Sequence, residues 1–172
     1  SNSPSRSFDR SFDITLMGAT GFVGALTAGY LAANAPADVR IALAGRNQTK
    51  LEALREQLAA KHPRAKEFPL VIADSSDNRS LEKLVRDTRV VISTVGPYYR
   101  HGFPLVRECA THGTHYVDLA GEALFMRESA DSYHDRATAS GARIVHACGF
   151  DSVPSDLGML LLGQRASENK DT

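Results

Sequence analysis

The sequence of 172 residues contains no tryptophan and only two cysteines, Cys109 and Cys148, which form no CxxC pair. Two separated thiols in a chain of this length favour a reduced, cytoplasmic protein over a disulfide-stabilised secreted one. An excess of charge is also missing, because 20 basic residues balance 20 acidic ones. This balance argues against binding to nucleic acid or to an anionic membrane surface, since both favour a basic protein.

Long apolar runs are missing as well. No segment approaches the roughly 20 apolar residues that a membrane-spanning helix needs, and the polar N-terminus lacks a signal-peptide pattern. The composition predicts a disordered leader over residues 1–11 and a polar tail over residues 166–172. Residues 12–165 are long enough to form one domain with its own hydrophobic core.

Short runs rich in β-branched residues alternate with segments of helical periodicity along this domain. Such alternation is typical of a parallel α/β sheet. The sequence therefore predicts a Rossmann-type, doubly wound, mainly parallel six-stranded sheet with helices on both faces. The strands are expected at residues 12–17, 39–44, 69–73, 89–94, 114–118 and 142–146. Ligands of such sheets bind at the carboxyl ends of the strands, which directs attention to the loops after strands one, two, four and six.

A glycine-rich loop follows the first strand directly and leads into a helix. Its spacing is GxxGxxG, which suits a tight turn, a close approach of the backbone to a pyrophosphate, and close helix packing. The free N–H groups at the helix start would face the phosphates. The alternative is a turn without a ligand. The loop predicts these cofactor contacts: Gly18, Thr20, Gly21, Phe22, Val23 and Gly24.

The end of the second strand indicates which dinucleotide binds. An NAD site usually carries a carboxylate there for the ribose 2′-hydroxyl. This chain has Arg46 and Asn47 instead, with Lys50 one helical turn further along. A guanidinium could hold a 2′-phosphate with two hydrogen bonds, so we predict NADP. The alternative is that Arg46 is an ordinary surface residue at a helix start.

The fourth strand leads into a Gly-Pro turn, which predicts a rigid platform near the nicotinamide ribose. Its expected cofactor contacts are Thr94, Val95, Gly96 and Pro97. Tyr98, Tyr99 and His101 are the nearest groups that could donate a proton, and Tyr98 is the predicted catalytic residue among them. Packing against the following helix is the alternative for each of these side chains.

Three other places in the sequence carry polar candidates. Asp151 follows strand six and is predicted to face the substrate, although it could instead cap the next helix. Glu122 at the exit of strand five is a weaker candidate. His112 and His115 straddle a helix end and have no third ligand nearby, so no metal site is predicted. The Tyr-x-x-x-Lys pair of short-chain reductases is missing, which excludes their chemistry.

Several motifs together resemble one family. Its pattern is found in GATGFVG at 18–24, AGR at 44–46, STVGPY at 93–98 and HACGFDSVPSD at 146–156. These segments resemble the saccharopine-dehydrogenase-like oxidoreductases, and among them the trans-acting enoyl reductases of bacterial complex-lipid synthesis. The resemblance covers about residues 12–162, and the GFDSVPSD stretch is its most specific part.

The resemblance implies NADPH-dependent reduction of an enoyl thioester carried on a polyketide synthase. It also implies a second α/β domain beyond this chain and a homodimeric full-length form. Two alternatives remain. One is amino-acid metabolism of the saccharopine reductase type, and the other is a non-catalytic module that senses NADP.

Overall fold

The computed structural model describes residues 10–169 of the chain, in which strands and helices alternate. The strands are β1 (Phe12–Met17), β2 (Ile41–Gly45), β3 (Leu70–Ile72), β4 (Thr88–Ser93), β5 (His115–Asp118) and β6 (Ile144–Val145). The helices are α1 (Phe22–Asn34), α2 (Gln48–Lys61), α3 (Asn78–Arg86), α4 (Tyr98–His101), α5 (Phe103–His112), α6 (Ala123–Ser140) and α7 (Val153–Asn169). A short 3-10 helix, Pro63–Glu67, follows α2.

All six strands pair in parallel, in the order β3-β2-β1-β4-β5-β6. At the centre of the sheet, Ile14 of β1 stands opposite Ile41 of β2 on one side and Val90 of β4 on the other. This is the strand order of a doubly wound dinucleotide-binding sheet, so the predicted fold is confirmed. The order reverses between β1 and β4, which opens a crevice at the carboxyl ends of these two strands.

The hydrophobic core lies on both faces of the sheet. Successive side chains of a strand point to opposite faces, so Leu16 and Leu43 pack in one apolar cluster, and Met17 and Ala44 in the other. Helices α1 and α2 supply the first cluster, and α3, α5 and α6 supply the second. The sheet is covered on both faces, which explains why its central strands are so apolar.

The strand boundaries agree with the sequence prediction to within two residues. Helices α5 and α6 end at Gly113 and Gly141, which both adopt the left-handed conformation that is common for glycine at a helix end. Strand β6 is shorter than predicted, and the four-residue helix α4 was not predicted. Helix α7 also continues to Asn169, through most of the segment predicted to be a polar tail, since that segment contains no proline or glycine to stop it.

Arg10 lies within the predicted leader and is described by the structure. Its guanidinium donates hydrogen bonds to the backbone carbonyls of Val85 and His112, both near the amino edge of the sheet. These contacts join Arg10 to the domain. The remaining parts of the predicted leader and tail, residues 1–9 and 170–172, lie outside the described residues. Over the described range, no helix is long and apolar enough to cross a membrane.

Candidate cofactor site

The glycine loop between β1 and α1 is built so that backbone atoms approach one another closely. Gly18 has a φ of +84°, and a Cβ on it would lie 2.8 Å from Thr94 Oγ1. A Cβ on Gly24 would lie 2.1 Å from the carbonyl oxygen of Gly18, a distance that no side chain could tolerate. Glycine at these two positions therefore lets α1 begin directly against the loop. Gly21 is the N-cap of α1 and provides no side-chain cap, which leaves the N–H groups of the first turn available.

The loops after β1 and β4 are tied together across the crevice. The hydroxyl of Thr94 lies 3.1 Å from the carbonyl oxygens of both Met17 and Gly18. The N–H of Thr94 also donates to the carbonyl of Met17 at 3.0 Å. Thr94 therefore fixes the distance between the two loops that border the switch point of the sheet.

The loop after β2 carries the three residues predicted to recognise the 2′-phosphate. Arg46 is exposed and lines the cleft. Asn47 is the N-cap of α2, where its side-chain oxygen accepts a hydrogen bond from the N–H of Lys50 at 2.9 Å. Lys50 is exposed on the first turn of α2 and is not among the cleft-lining residues. The capping role of Asn47 fixes the start of α2, and with it the position of the neighbouring Arg46.

The loop after β3 also lines the cleft, and sequence reasoning missed it. Asp74 and Ser75 line the cleft there, as Arg46 does at the end of β2. The carboxylate of Asp74 accepts hydrogen bonds from the N–H and the hydroxyl of Ser76, which lower the pKa of Asp74 and keep it ionised. The nearby Arg46 guanidinium lowers the pKa of Asp74 further. Ligands were expected at the loops after strands one, two, four and six, so the loop after β3 was not predicted. The sequence Ala-Asp-Ser at the end of the third strand could have indicated this loop.

These four loops enclose a cleft of about 260 Å³. Seven of the thirteen predicted cofactor contacts line it: Gly18, Thr20, Gly21, Arg46, Thr94, Val95 and Gly96. It is lined further by six residues that were not predicted as cofactor contacts: Met17, Gly45, Ala73, Asp74, Ser75 and His101. The other six predicted contacts do not line it: Phe22, Val23, Gly24, Asn47, Lys50 and Pro97. The cleft combines the glycine loop with the ends of β2, β3 and β4. Its part at the ends of β2 and β3 is the adenosine side of a Rossmann site.

The predicted catalytic residue Tyr98 points into the protein. Its side chain is 6% exposed, its hydroxyl donates a hydrogen bond to the carbonyl of Ser93 at 2.9 Å, and its ring packs against Phe125. Burial raises the pKa of Tyr98 to about 12. The hydroxyl therefore stabilises the turn after β4 and does not line the cleft.

Asp118 at the end of β5 is the centre of a buried polar network that sequence reasoning also missed. One carboxylate oxygen accepts from the Tyr116 hydroxyl at 2.9 Å and lies 2.7 Å from Nδ1 of His146. The other accepts from the N–H groups of Ala120 and Ala147 at 3.0 and 3.1 Å. Ala147 has a φ of +58°, which is rare for a residue other than glycine. The Asp118 carboxylate therefore holds the exits of β5 and β6 in a fixed arrangement.

The remaining polar candidates lie away from the cleft. Asp151 is exposed in the turn before α7, and Cys148 is exposed beside Asp118, whose carbonyl accepts its N–H at 2.7 Å. Cys109 is fully buried in the core, and burial raises the pKa of its thiol. Among the described residues, no three His, Cys, Asp or Glu side chains come close enough together to hold a metal ion.

Residues 14–145 match the family model of the saccharopine dehydrogenase NADP binding domain. The chain belongs to this family. It is 54% identical over 160 residues to a Mycobacterium tuberculosis protein named provisionally as a trans-acting enoyl reductase. It is also 50% identical over 163 residues to the trans-acting enoyl reductase of Mycobacterium ulcerans. These alignments cover 93% and 95% of the chain but only 37% and 38% of the relatives.

Solved structures agree on the fold. The saccharopine dehydrogenase of Saccharomyces cerevisiae superimposes with a TM-score of 0.65 at 23% identity, over 82% of this chain and 28% of that one. The triphenylmethane reductase of Citrobacter, which was solved with NADP(H), gives 0.56 at 18% identity, over 78% and 48%. At these identities the comparison establishes the Rossmann architecture alone.

The residues of the cleft fit NADP, the cofactor of this domain family. A Cβ on Gly18 would meet the side chains of Thr94 and Val95, and a Cβ on Gly24 would meet the backbone of Gly18. Glycine at both positions therefore permits the close approach that a pyrophosphate loop requires. The uncapped start of α1 can bind the phosphates. Arg46 stands at the end of β2 without a competing carboxylate on its own loop, in the place from which a 2′-phosphate is held.

Proposed function

We propose that this chain is the cofactor-binding part of an NADPH-dependent enoyl reductase that acts on an acyl thioester. The observation that carries the proposal is the identity of 50–54%, across almost the whole chain, with proteins named trans-acting enoyl reductase. Because the chain spans less than two fifths of these relatives, the activity is proposed for the longer protein. NADPH would supply hydride to the β-carbon of the enoyl group while a proton adds to the α-carbon, giving a saturated thioester and NADP⁺.

The residues at the strand ends support an apolar substrate. A dicarboxylate such as saccharopine would need several basic side chains near the reacting atoms. The loops 94–97 and 146–152 contain no lysine or arginine, and Arg100 on α4 is the nearest base to the first of them. An acyl chain needs no such charge, so the composition of these loops favours a thioester, and a carrier-bound polyketide thioester is the proposed form. The two free thiols, Cys109 and Cys148, suit a cytoplasmic location.

Helix α7 supports a second domain in the longer protein. Its exposed side chains include Leu157 and the run from Met159 to Leu162, with exposed fractions between 52% and 69%. A helix that is apolar on several sides is normally buried. We propose that α7 packs against the second α/β domain, which would complete the substrate site and the homodimer. In this arrangement Asp151, in the turn before α7, would face that domain, and its proposed role is contact with the substrate.

The full-length protein is the correct material for the test of activity. We expect it to oxidise NADPH in the presence of an enoyl thioester and to release the saturated product, as measured by absorbance and mass spectrometry. The saturated thioester serves as the control and should cause no oxidation. Binding of NADPH without oxidation across a panel of acyl chain lengths would contradict the reductase and favour the alternative of an NADP-sensing module.

The choice of NADP can be tested on Arg46. Arg46→Ala removes the guanidinium at the end of β2, so NADPH should bind on the order of tenfold more weakly while NADH changes little. Isothermal titration of both cofactors measures the ratio of affinities. Lys61→Ala, at the opposite end of α2, is a matched control that should leave both affinities unchanged. Equal affinities for the two cofactors in the unaltered chain and in Arg46→Ala would rule out recognition of the 2′-phosphate by this residue.

A further inference from the structure

Glu122 makes an unusual pair of contacts. It is the N-cap residue of α6, yet its side chain does not cap its own helix. Its two carboxylate oxygens instead accept hydrogen bonds from the N–H groups of Tyr98 and Tyr99, at 2.6 and 2.9 Å. These N–H groups are at the start of α4. The N-cap residue of α4 is Pro97, which provides no side-chain cap. Glu122 thus bridges the exit of β5 to the segment that follows β4.

The bridged segment has little stability of its own. Helix α4 is only four residues long, and so short a helix does not persist without external contacts. Ionised carboxylates at a helix start accept strong hydrogen bonds from its free N–H groups. On the opposite side, the segment is held by Gly102, where a Cβ would lie 2.7 Å from the Phe125 ring of α6. Glu122 and α6 therefore determine where α4 lies.

The ends of this segment form one wall of the cofactor cleft. Gly96, just before α4, and His101, its last residue, both line the cleft together with Arg46 and Asp74. Glu122 itself does not line it. We propose that Glu122 is a positioning residue for the adenosine side of the NADP site, acting through His101. This inference rests on the cofactor site described above and adds to it a residue outside the cleft.

Substitution of Glu122 tests the proposal in the 172-residue chain. Glu122→Ala should weaken binding of NADP⁺ on the order of tenfold, because α4 loses both charge-assisted hydrogen bonds. Adenosine 2′,5′-bisphosphate, which lacks the nicotinamide half, should lose affinity by the same factor. Glu122→Gln keeps one acceptor oxygen, so its affinity for NADP⁺ should lie between those of Glu122→Ala and the unaltered chain. Glu56→Ala, an exposed site on α2, is the control and should leave both affinities unchanged.

A double substitution distinguishes positioning from general support of the fold. If Glu122 acts through His101, then Glu122→Ala should have little further effect in a His101→Ala background, so that the two losses of affinity do not add. Isothermal titration well below the melting temperature of each variant restricts the comparison to folded protein. Additive losses, or an unchanged affinity for NADP⁺, would overturn the proposal.

Two other outcomes are equally decisive. Weaker binding of NADP⁺ with unchanged binding of adenosine 2′,5′-bisphosphate would place the effect on the nicotinamide half and overturn the proposal. If neither Glu122→Ala nor Glu122→Gln folds, Glu122 is a determinant of folding and the positioning role is excluded. Failure of the unaltered chain to bind NADP⁺ would instead count against the cofactor site itself, so the two failures are distinguishable.

Discussion

Gly24→Ala is expected to abolish NADP⁺ binding at concentrations that saturate the unaltered chain. The new Cβ would lie 2.1 Å from the carbonyl oxygen of Gly18 and 2.9 Å from the Cα of Ala19. Both neighbours are backbone atoms, so the first turn of α1 must move away from the glycine loop. That movement separates the helix start from the phosphates it would bind. We expect an affinity loss of about 100-fold or more, together with a loss of about 1–3 kcal/mol in the free energy of unfolding.

Gly29→Ala on the same helix is the matched control. A Cβ at Gly29 meets only Leu58 Cδ2 at 3.8 Å, which is an ordinary contact. Alanine also favours a helix interior over glycine, so this variant should be more stable by about 0.5–1 kcal/mol with unchanged cofactor binding. Isothermal titration and denaturant unfolding measure both quantities. Normal NADP⁺ binding by Gly24→Ala would mean that the close approach of α1 to the loop is not needed for the cofactor.

Asp118→Ala is expected to have the largest effect on stability. It removes a buried carboxylate and leaves the Tyr116 hydroxyl, the His146 ring and the N–H groups of Ala120 and Ala147 without their acceptor. Each buried donor that is left without its acceptor costs about 1–3 kcal/mol, and this substitution leaves several. The N–H of Ala147, a residue in the left-handed conformation, also loses its hydrogen bond to Asp118. The segments after β5 and β6 should therefore both become less stable. Denaturant unfolding measures the loss.

The pH dependence of stability provides a second measurement on Asp118. Burial alone would raise the pKa of this carboxyl, but the hydrogen bonds from His146 and Ala120 outweigh it and lower the pKa. A lowered pKa in the folded state stabilises the protein above the unfolded value of about 3.9, and the stabilisation is lost as the pH falls through the folded value. Asp118→Asn should therefore reduce the acid dependence of the free energy of unfolding.

Asp131→Asn is the control for both measurements on Asp118. Asp131 lies on α6, is 57% exposed and pairs with Arg127 at 2.8 Å. Exposed pairs of this type contribute less than about 1 kcal/mol, so Asp131→Asn should change neither the stability nor its acid dependence measurably. If Asp118→Asn and Asp131→Asn had equal effects, the Asp118 network would not be the link between the exits of β5 and β6.

The glycine loop and Arg46 could be predicted from the sequence as parts of the cofactor site because both are local features. Gly18, Gly21 and Gly24 lie where a strand leads into a helix, and their spacing alone indicates the backbone geometry of a phosphate loop. Arg46 follows the second strand at the place where a carboxylate would favour NAD. Asp74 also follows a strand, but it reaches the cleft because β3 pairs with β2 at the edge of the sheet, and that pairing is not a local feature.

Tyr98 and Glu122 show the limits of reading side chains from a sequence. Both stand at strand exits, which made each a candidate for chemistry. The direction of the Tyr98 ring depends on Phe125, which is more than 20 residues away in the chain and packs against it in the core. The target of the Glu122 carboxylate is likewise a helix from another part of the chain. Neither orientation follows from spacing, since each is set by packing between elements that are distant in sequence.

The sequence by itself determined the fold class, the glycine loop and the preference for NADP, because hydrophobic periodicity and backbone-dependent spacing are encoded locally. Only the tertiary structure decided how the loops after β3, β4, β5 and β6 are held. The parallel sheet brings together residues from distant segments, so that Asp118 can bind the exit of β6 and Glu122 can bind the start of α4. Such contacts depend on which strands become neighbours, and hydrogen bonds between side chains and distant backbone groups leave no periodic signal in the sequence.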